Sequence, residues 1–106
     1  MATNKGYMAF IMDQLSELDE ISSRSMMGEY IVYYRDRIAA YVCDDRLLVK
    51  PVEAAKALMP NAPMEKPYEG AKEMLLVEDV DDKDFLTTLF QAMFDQLPAP
   101  KARKKK

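Results

Sequence analysis

The sequence has no histidine and no tryptophan, and it contains a single cysteine, Cys43. Without histidine the chain cannot build a Ser-His-Asp or Cys-His nucleophile pair or a histidine-ligated metal site. One cysteine cannot form an internal disulfide, and it fits a reducing compartment. We therefore expect a cytoplasmic protein that is not an enzyme and that holds no metal or cofactor. An enzyme with a carboxylate or lysine base is the remaining alternative.

Glycine is scarce, and long apolar runs are missing. The three glycines, Gly6, Gly28 and Gly70, lie far apart, so none belongs to a phosphate-binding loop of the Walker or dinucleotide type. The absence of long apolar runs argues against a membrane span or a secretory signal. Apolar residues still make up 49% of the 106 residues, which suits one globular domain with one core.

The charges are divided unevenly along the chain. Lysine and arginine number 15 against 18 aspartates and glutamates, but five of the basic residues lie between residues 101 and 106. Residues 1 to 100 therefore carry 10 basic against 18 acidic side chains, a net charge of -8. An acidic body repels a phosphate backbone, so we expect no sequence-specific nucleic-acid binding. The proline-rich, basic stretch from residue 98 to residue 106 is predicted to be a disordered tail.

Apolar periodicity and turn residues predict seven elements. In chain order they are a helix over residues 4–19, strands over 29–34, 37–43 and 46–50, a helix over 52–59, a strand over 73–77 and a final helix over 85–97. The order α-β-β-β-α-β-α predicts an α+β, two-layer sandwich, in which helices pack on a mostly antiparallel sheet. The turns between the first three strands, 35–36 and 44–45, are short enough for hairpins.

The final helix has the widest apolar stripe in the chain, and an acidic run precedes it. The stripe consists of Phe85, Leu86, Leu89, Phe90, Met93, Phe94 and Leu97. The acidic run over residues 79–84 lacks the glycine and the terminal glutamate of an EF-hand loop, so it does not predict a calcium site. Asp81 or Asp82 is instead expected to cap the helix.

Tyrosine and cysteine provide the remaining candidates for chemistry. Side chains alternate along a strand, so Tyr30 and Tyr34 are expected on one face of the sheet and Tyr33 on the other. Five tyrosines could line an aromatic pocket, but half-buried sheet positions with hydroxyl groups in water are the preferred interpretation. Cys43 has no histidine to activate it and is expected to be a small core residue.

Three segments together resemble the N-terminal domain of the TfoX/Sxy family of bacterial competence regulators. They are residues 24–30 (Arg-Ser-Met-Met-Gly-Glu-Tyr), residues 47–51 (Leu-Leu-Val-Lys-Pro) and residues 67–72 (Pro-Tyr-Glu-Gly-Ala-Lys). The likeness covers about residues 8 to 97 and makes residues 1–97 a domain of this type. Met27, Glu29 and Leu48 depart from the family pattern, which favours phenylalanine, glycine and an aromatic residue at these places. The competence regulators also carry a second, C-terminal domain where this chain has a lysine tail.

The resemblance implies a regulatory role but no defined catalytic site. We expect a module that binds another protein, with Arg24, Gly28, Lys50 and Tyr68 as the candidate binding residues. Arg24 is also expected to fix the adjacent loop through hydrogen bonds to backbone carbonyl groups or a carboxylate. The alternative is a domain that binds a small anion or metabolite through Arg24, Lys50 and Tyr68. The sequence leaves the oligomeric state open, a dimer included.

Overall fold

The computed structural model describes residues 3–26 and 28–97. This part of the chain forms one six-stranded sheet and three α-helices, followed by a short 3-10 turn. The elements are α1 (Lys5–Gln14), β1 (Ile21–Met26), β2 (Glu29–Tyr34), β3 (Arg37–Cys43), β4 (Arg46–Val49), α2 (Glu53–Leu58), β5 (Met64–Glu65), β6 (Met74–Val77), α3 (Lys83–Met93) and the 3-10 turn Phe94–Gln96. The predicted α+β fold with an antiparallel sheet is confirmed.

The sheet has the strand order β1-β2-β3-β4-β6-β5, and each described pair of strands is antiparallel. Strands β1 to β4 follow one another as hairpins. The residue pairs Arg35-Asp36 and Asp44-Asp45 turn two of these hairpins with positive φ angles between 52° and 70°. Such angles match the twist of a two-residue hairpin, and aspartate tolerates them better than most residues.

All three helices lie on one face of the sheet, where they enclose a single core. Ile11 and Leu15 at the α1 end, Ala55 of α2 and Phe90 of α3 are fully buried there. The sheet contributes alternate residues of its strands to the same core, namely Val32, Tyr34, Ala40, Val42, Leu47, Val49, Leu75 and Val77. Tyr34 belongs to this core and Tyr30 packs against it, whereas Tyr33 does not, so the predicted alternation of the three tyrosines is confirmed. The predicted apolar stripe of the last helix does face the sheet.

Side chains cap the first helix at its start and the last helix at both ends, through hydrogen bonds to backbone groups. The Asn4 carboxamide oxygen accepts hydrogen bonds from the Gly6 and Tyr7 backbone N–H groups at the start of α1. At the start of α3, one of the two aspartates considered as caps, Asp82, accepts a hydrogen bond from the Phe85 N–H at 3.0 Å. At the other end of α3, Arg37 donates to the carbonyl groups of Phe94 and Leu97.

The predicted element boundaries differ from the structure at several ends. The last helix, predicted over residues 85–97, is α-helical from Lys83 to Met93, and three further differences concern α1, β1 and β5. Helix α1 ends at Gln14 rather than near residue 19. The segment Ile21–Met26, which lacks any helical period and was expected to be a connection, is the edge strand β1. Inside the expected loop over residues 60–71, Met64 and Glu65 pair with β6 as the short strand β5. The two added strands widen the predicted sheet without changing its class.

Candidate functional site

The second face of the sheet is not covered by any of the three helices, and we call it the open face. Strand register aligns Arg24, Ile31, Tyr41, Leu48 and Leu76 in one row across five strands. Because side chains alternate along each strand, residues two positions away from this row share its face. The open face thus also carries Tyr33, Ile38, Cys43, Arg46, Lys50 and Met74. Glu29 lies on it as well, where its carboxylate accepts hydrogen bonds from the Thr3 hydroxyl and the Asp44 N–H.

The loop from Lys66 to Lys72 covers the β3–β4 part of the open face, and Arg46 holds it there. One guanidinium nitrogen, Nη1, forms an ion pair with the Glu65 carboxylate at 2.6 Å. The other, Nη2, donates to the carbonyl oxygens of Lys66 and Pro67 at 3.3 and 3.4 Å. Pro67 is buried by this contact with the body of the protein. The next residue, Tyr68, is therefore placed over the sheet by a fixed stretch of backbone.

Two tyrosines and two lysines meet beside this loop, and we call them the Tyr–Lys patch: Tyr41, Tyr68, Lys50 and Lys72. The Tyr41 and Tyr68 rings have centroids 6.2 Å apart. Lys50 Nζ lies 5.9 Å from the centre of the Tyr41 ring, within the range of a cation–π contact. Burial, and then the positive charge of Lys72, lower the pKa of the Lys50 ammonium group. Burial, and then Tyr68, raise the pKa of the Tyr41 hydroxyl.

Of the residues predicted to form a site, the structure brings together only Lys50 and Tyr68, each of which lies close to the Tyr41 ring. Arg24 lies on the same face but on β1, three strands from the Lys50 strand, or about 14 Å at ordinary strand spacing. Gly28 occupies the turn between β1 and β2 with a φ of 88°, and its carbonyl group accepts a hydrogen bond from the Thr3 N–H. A structural role thus accounts for Gly28.

The expectation that Arg24 fixes the adjacent loop through hydrogen bonds is wrong. Its side chain is exposed, and within the described residues it forms no hydrogen bond or ion pair. Pairing with β2 holds the backbone of β1 in place, so the strand needs no side-chain hydrogen bonds from Arg24.

Cys43 lies on the open face but is fully buried. Burial, followed by the nearby Glu29 carboxylate, raises the pKa of the thiol from its ordinary 9.0 to about 11. The thiol is therefore protonated at neutral pH and does not act as a nucleophile there. The predicted burial of Cys43 is therefore confirmed, but the residue lies outside the core cluster that the helices enclose.

The described residues contain no cluster of three or more His, Cys, Asp or Glu side chains that could hold a metal ion. A shallow cavity of about 240 Å³ lies between the end of α2, strand β6 and the start of α3. Leu58 and Phe85 line it together with Glu78 and Asp79. None of the residues predicted to form a site lines this cavity.

Sequence reasoning missed Arg46 and Lys72 as site residues. Tyr33 and Tyr41 were among the five tyrosines considered for an aromatic pocket, but half-buried sheet positions were the preferred interpretation. Lys72 closes the motif over residues 67–72, so its position beside Tyr68 in the sequence was an available signal. Arg46 had no comparable signal, because its partners Glu65 and Pro67 are about twenty residues away in the chain.

Across residues 3–26 and 28–97, no helix has the length and apolar character needed to cross a membrane.

Comparison with known proteins gives a family and one relative. The family model for the TfoX N-terminal domain matches residues 13–95. The chain is also similar to a protein of Spirochaeta aurantia described as "Uncharacterized 12.7 kDa protein in trpE 5'region". The two are 35% identical over 107 residues, which cover 100% of this chain and 93% of the relative. No solved structure matches the chain.

Proposed function

The chain belongs to the TfoX N-terminal domain family, and from that premise we propose that it is a small, non-enzymatic regulatory module that binds a protein partner through its open face. The family match covers most of the described fold, including β1 to β6 and the whole of α3. The resemblance found in the sequence points to regulation, and the relative of known sequence is itself described only as uncharacterised.

One observation supports this proposal above the others: the helices all pack on one face of the sheet and leave aromatic and aliphatic side chains on the other. Tyr33, Ile38 and Tyr41 are half-buried there, and Tyr68 is 45% exposed. Partly exposed aromatic side chains on a rigid surface are typical anchors of protein interfaces. A flat sheet face with a fixed loop at one side suits a protein surface better than an enclosed small molecule.

The alternative, a domain that holds one small anion between Arg24 and Lys50, gains no support from the geometry. These two side chains start from strands separated by β2 and β3. Both would have to reach across the sheet to touch the same ion. An enzymatic role could not use Cys43 as a nucleophile, since its thiol is buried and protonated, and would need a carboxylate or lysine base instead.

The experiment is affinity capture of a partner from native cell extract, followed by mass spectrometry, with three versions of the full chain. We expect the wild type and the control variant Phe10→Ser to retain the same protein. Phe10 is 39% exposed on α1, on the helix side of the molecule, so it tests for nonspecific apolar binding. A double variant, Tyr33→Ser with Tyr68→Ser, is expected to lose that protein while keeping its circular dichroism spectrum. Retention by all three versions would show that the open face is not the binding surface.

A further inference from the structure

We propose that the partner presents an acidic, extended segment to the open face, with one carboxylate bound at Lys50 and Lys72 and a second one near Arg24. This inference rests on the proposed function, because it names the chemistry of the partner that the same surface binds. Four features of the structure carry it: unpaired cations, an aromatic surface between them, their spacing and the charge of the rest of the body.

The cations of the open face differ in whether they have an acidic partner. Arg46 is paired with Glu65 and is occupied in holding the loop. Lys50, Lys72 and Arg24 form no ion pair within the described residues. Lys50 is only partly exposed, and Lys72 is close enough to affect its charge. The ammonium groups of half-buried Lys50 and exposed Lys72 repel each other, and both are stabilised when an anion binds between them.

The surface between these cations is aromatic and aliphatic rather than polar. Tyr33, Ile38 and Tyr41 form its floor, and Tyr68 rises beside it on the loop that Arg46 holds. A free small anion would use the charges and leave this surface in water. A peptide with an apolar side chain between two acidic ones would cover both.

The spacing of the cations sets the length of the segment. Arg24 and Lys50 belong to strands three positions apart in the sheet, so their backbones lie about 14 Å apart in the direction across the strands. An extended chain advances about 3.3 Å per residue. Acidic side chains separated by about four residues would therefore reach both ends of the surface.

The charge of the remaining body favours an acidic peptide over nucleic acid. Residues 1 to 100 have a net charge of -8, so a long phosphate backbone would be repelled once it extended beyond the open face. A short acidic segment that runs from Lys50 to Arg24 stays within the open face, and the Glu29 carboxylate there is already hydrogen-bonded to Thr3 and to the Asp44 N–H. A second copy of this chain placed face to face would set the same cations against each other, which disfavours a symmetric pairing through this surface.

The probe is a fluorescein-labelled peptide with two glutamates four residues apart and leucine and tyrosine between them, and binding is followed by fluorescence polarisation in low salt. We expect the peptide with glutamine in place of both glutamates to lose affinity by a factor of about ten or more. Lys50→Gln and Lys72→Gln should each weaken binding of the glutamate peptide about fivefold or more, and Arg24→Gln about twofold or more. The matched control is Lys56→Gln, which removes the same charge from the exposed surface of α2 and should leave the affinity unchanged.

The inference would be overturned if the glutamate and glutamine peptides bound with equal affinity, or if the glutamate peptide did not bind at millimolar concentration. It would also be overturned if folded Lys50→Gln and Lys72→Gln variants bound the peptide as the wild type does. A further contrary result is stronger competition by an oligonucleotide than by unlabelled peptide. The partner captured from extract separates this failure from failure of the proposed function. If Lys50→Gln retains a captured protein that the tyrosine double variant loses, the open face is an interface but its partner is not recognised by acidic groups.

Discussion

The Tyr68 ring lies 6.2 Å from the Tyr41 ring, although 27 positions separate the two residues in the chain and Tyr68 is 45% exposed. Aromatic contacts of this kind contribute little by themselves when one ring faces water. The contact persists because Arg46 fixes the backbone that precedes Tyr68, through Glu65 and the carbonyl groups of Lys66 and Pro67.

Arg46→Gln is therefore expected to loosen the loop without unfolding the domain. Loss of the ion pair and two hydrogen bonds should speed amide hydrogen exchange between residues 64 and 72 about tenfold, as measured by mass spectrometry. Exchange in α3 should stay the same. The control Lys66→Gln changes an exposed side chain of the same loop and should not alter exchange. Equal exchange in the two variants would show that Arg46 does not hold the loop.

Phe90→Ala is expected to lower the free energy of unfolding by about 3 to 5 kcal/mol, because a fully buried ring is removed and leaves a cavity. Phe90 contacts the Tyr34 ring edge-on at 6.4 Å between centroids. Such a loss is a large part of the about 5 to 15 kcal/mol typical of a domain, so urea denaturation will resolve it. Phe10→Ala, at a 39% exposed position, should cost less than about 1 kcal/mol. Similar midpoints for the two variants would contradict this account of the core.

Arg24→Ala is expected to leave stability within about 0.5 kcal/mol of the wild type, since the side chain is exposed and unbonded in the described structure. Arg37→Ala serves as the contrast, because Arg37 donates to the carbonyl groups of Phe94 and Leu97 at 3.3 and 3.2 Å. Leaving those acceptors without a donor should cost about 1 to 3 kcal/mol in thermal or urea unfolding. A large loss of stability for Arg24→Ala would show that Arg24 has a structural role.

Cys43 should make stability depend on pH in the alkaline range. Its thiol has a pKa of about 11 in the folded protein against an ordinary 9.0, so the folded state holds the proton more tightly. This contribution is fully present below pH 9 and is lost as the pH rises through 11. A shift of one pKa unit corresponds to about 1.4 kcal/mol, so the contribution is about 3 kcal/mol at most. Lysines and tyrosines titrate in the same range, so the measured quantity is the difference in unfolding free energy between the wild type and Cys43→Ala. A difference that stays constant from pH 8 to pH 11 would contradict the shift.

Residues 101–106, which lie outside the described residues, bear on DNA binding through their charge alone. Five basic side chains could neutralise about five phosphates, so any binding should be independent of sequence, with a salt slope of magnitude up to about 4.5. We expect weak binding at low salt in a gel-shift or polarisation assay, little near physiological salt and none after residues 101–106 are removed. Sequence-specific binding by the shortened protein in moderate salt would overturn the preference for a protein partner.

The strands β2 and β3 and the last helix could be predicted closely because their own residues decide them. Glu29–Tyr34 and Arg37–Cys43 are rich in β-branched and aromatic residues, and the structure places them at those bounds. Strand β1 could not be found in the same way, since Ile21–Met26 contains three serines and an arginine, which have little intrinsic preference for a strand. It forms because β2 offers an edge with which it can pair. Likewise, the two residues of β5 form a strand only beside β6.

The sequence by itself determined the fold class, the acidic body and the absence of histidine chemistry, because composition and short-range periodicity carry that information. Only the tertiary structure decided which candidate residues meet. Strand order and register place Lys50 beside Tyr41 and leave Arg24 three strands away. Arg46 brings Tyr68 onto the sheet through contacts with residues 19 to 21 positions further along the chain. Such contacts depend on how distant segments pair and pack, and no local pattern of residues specifies them.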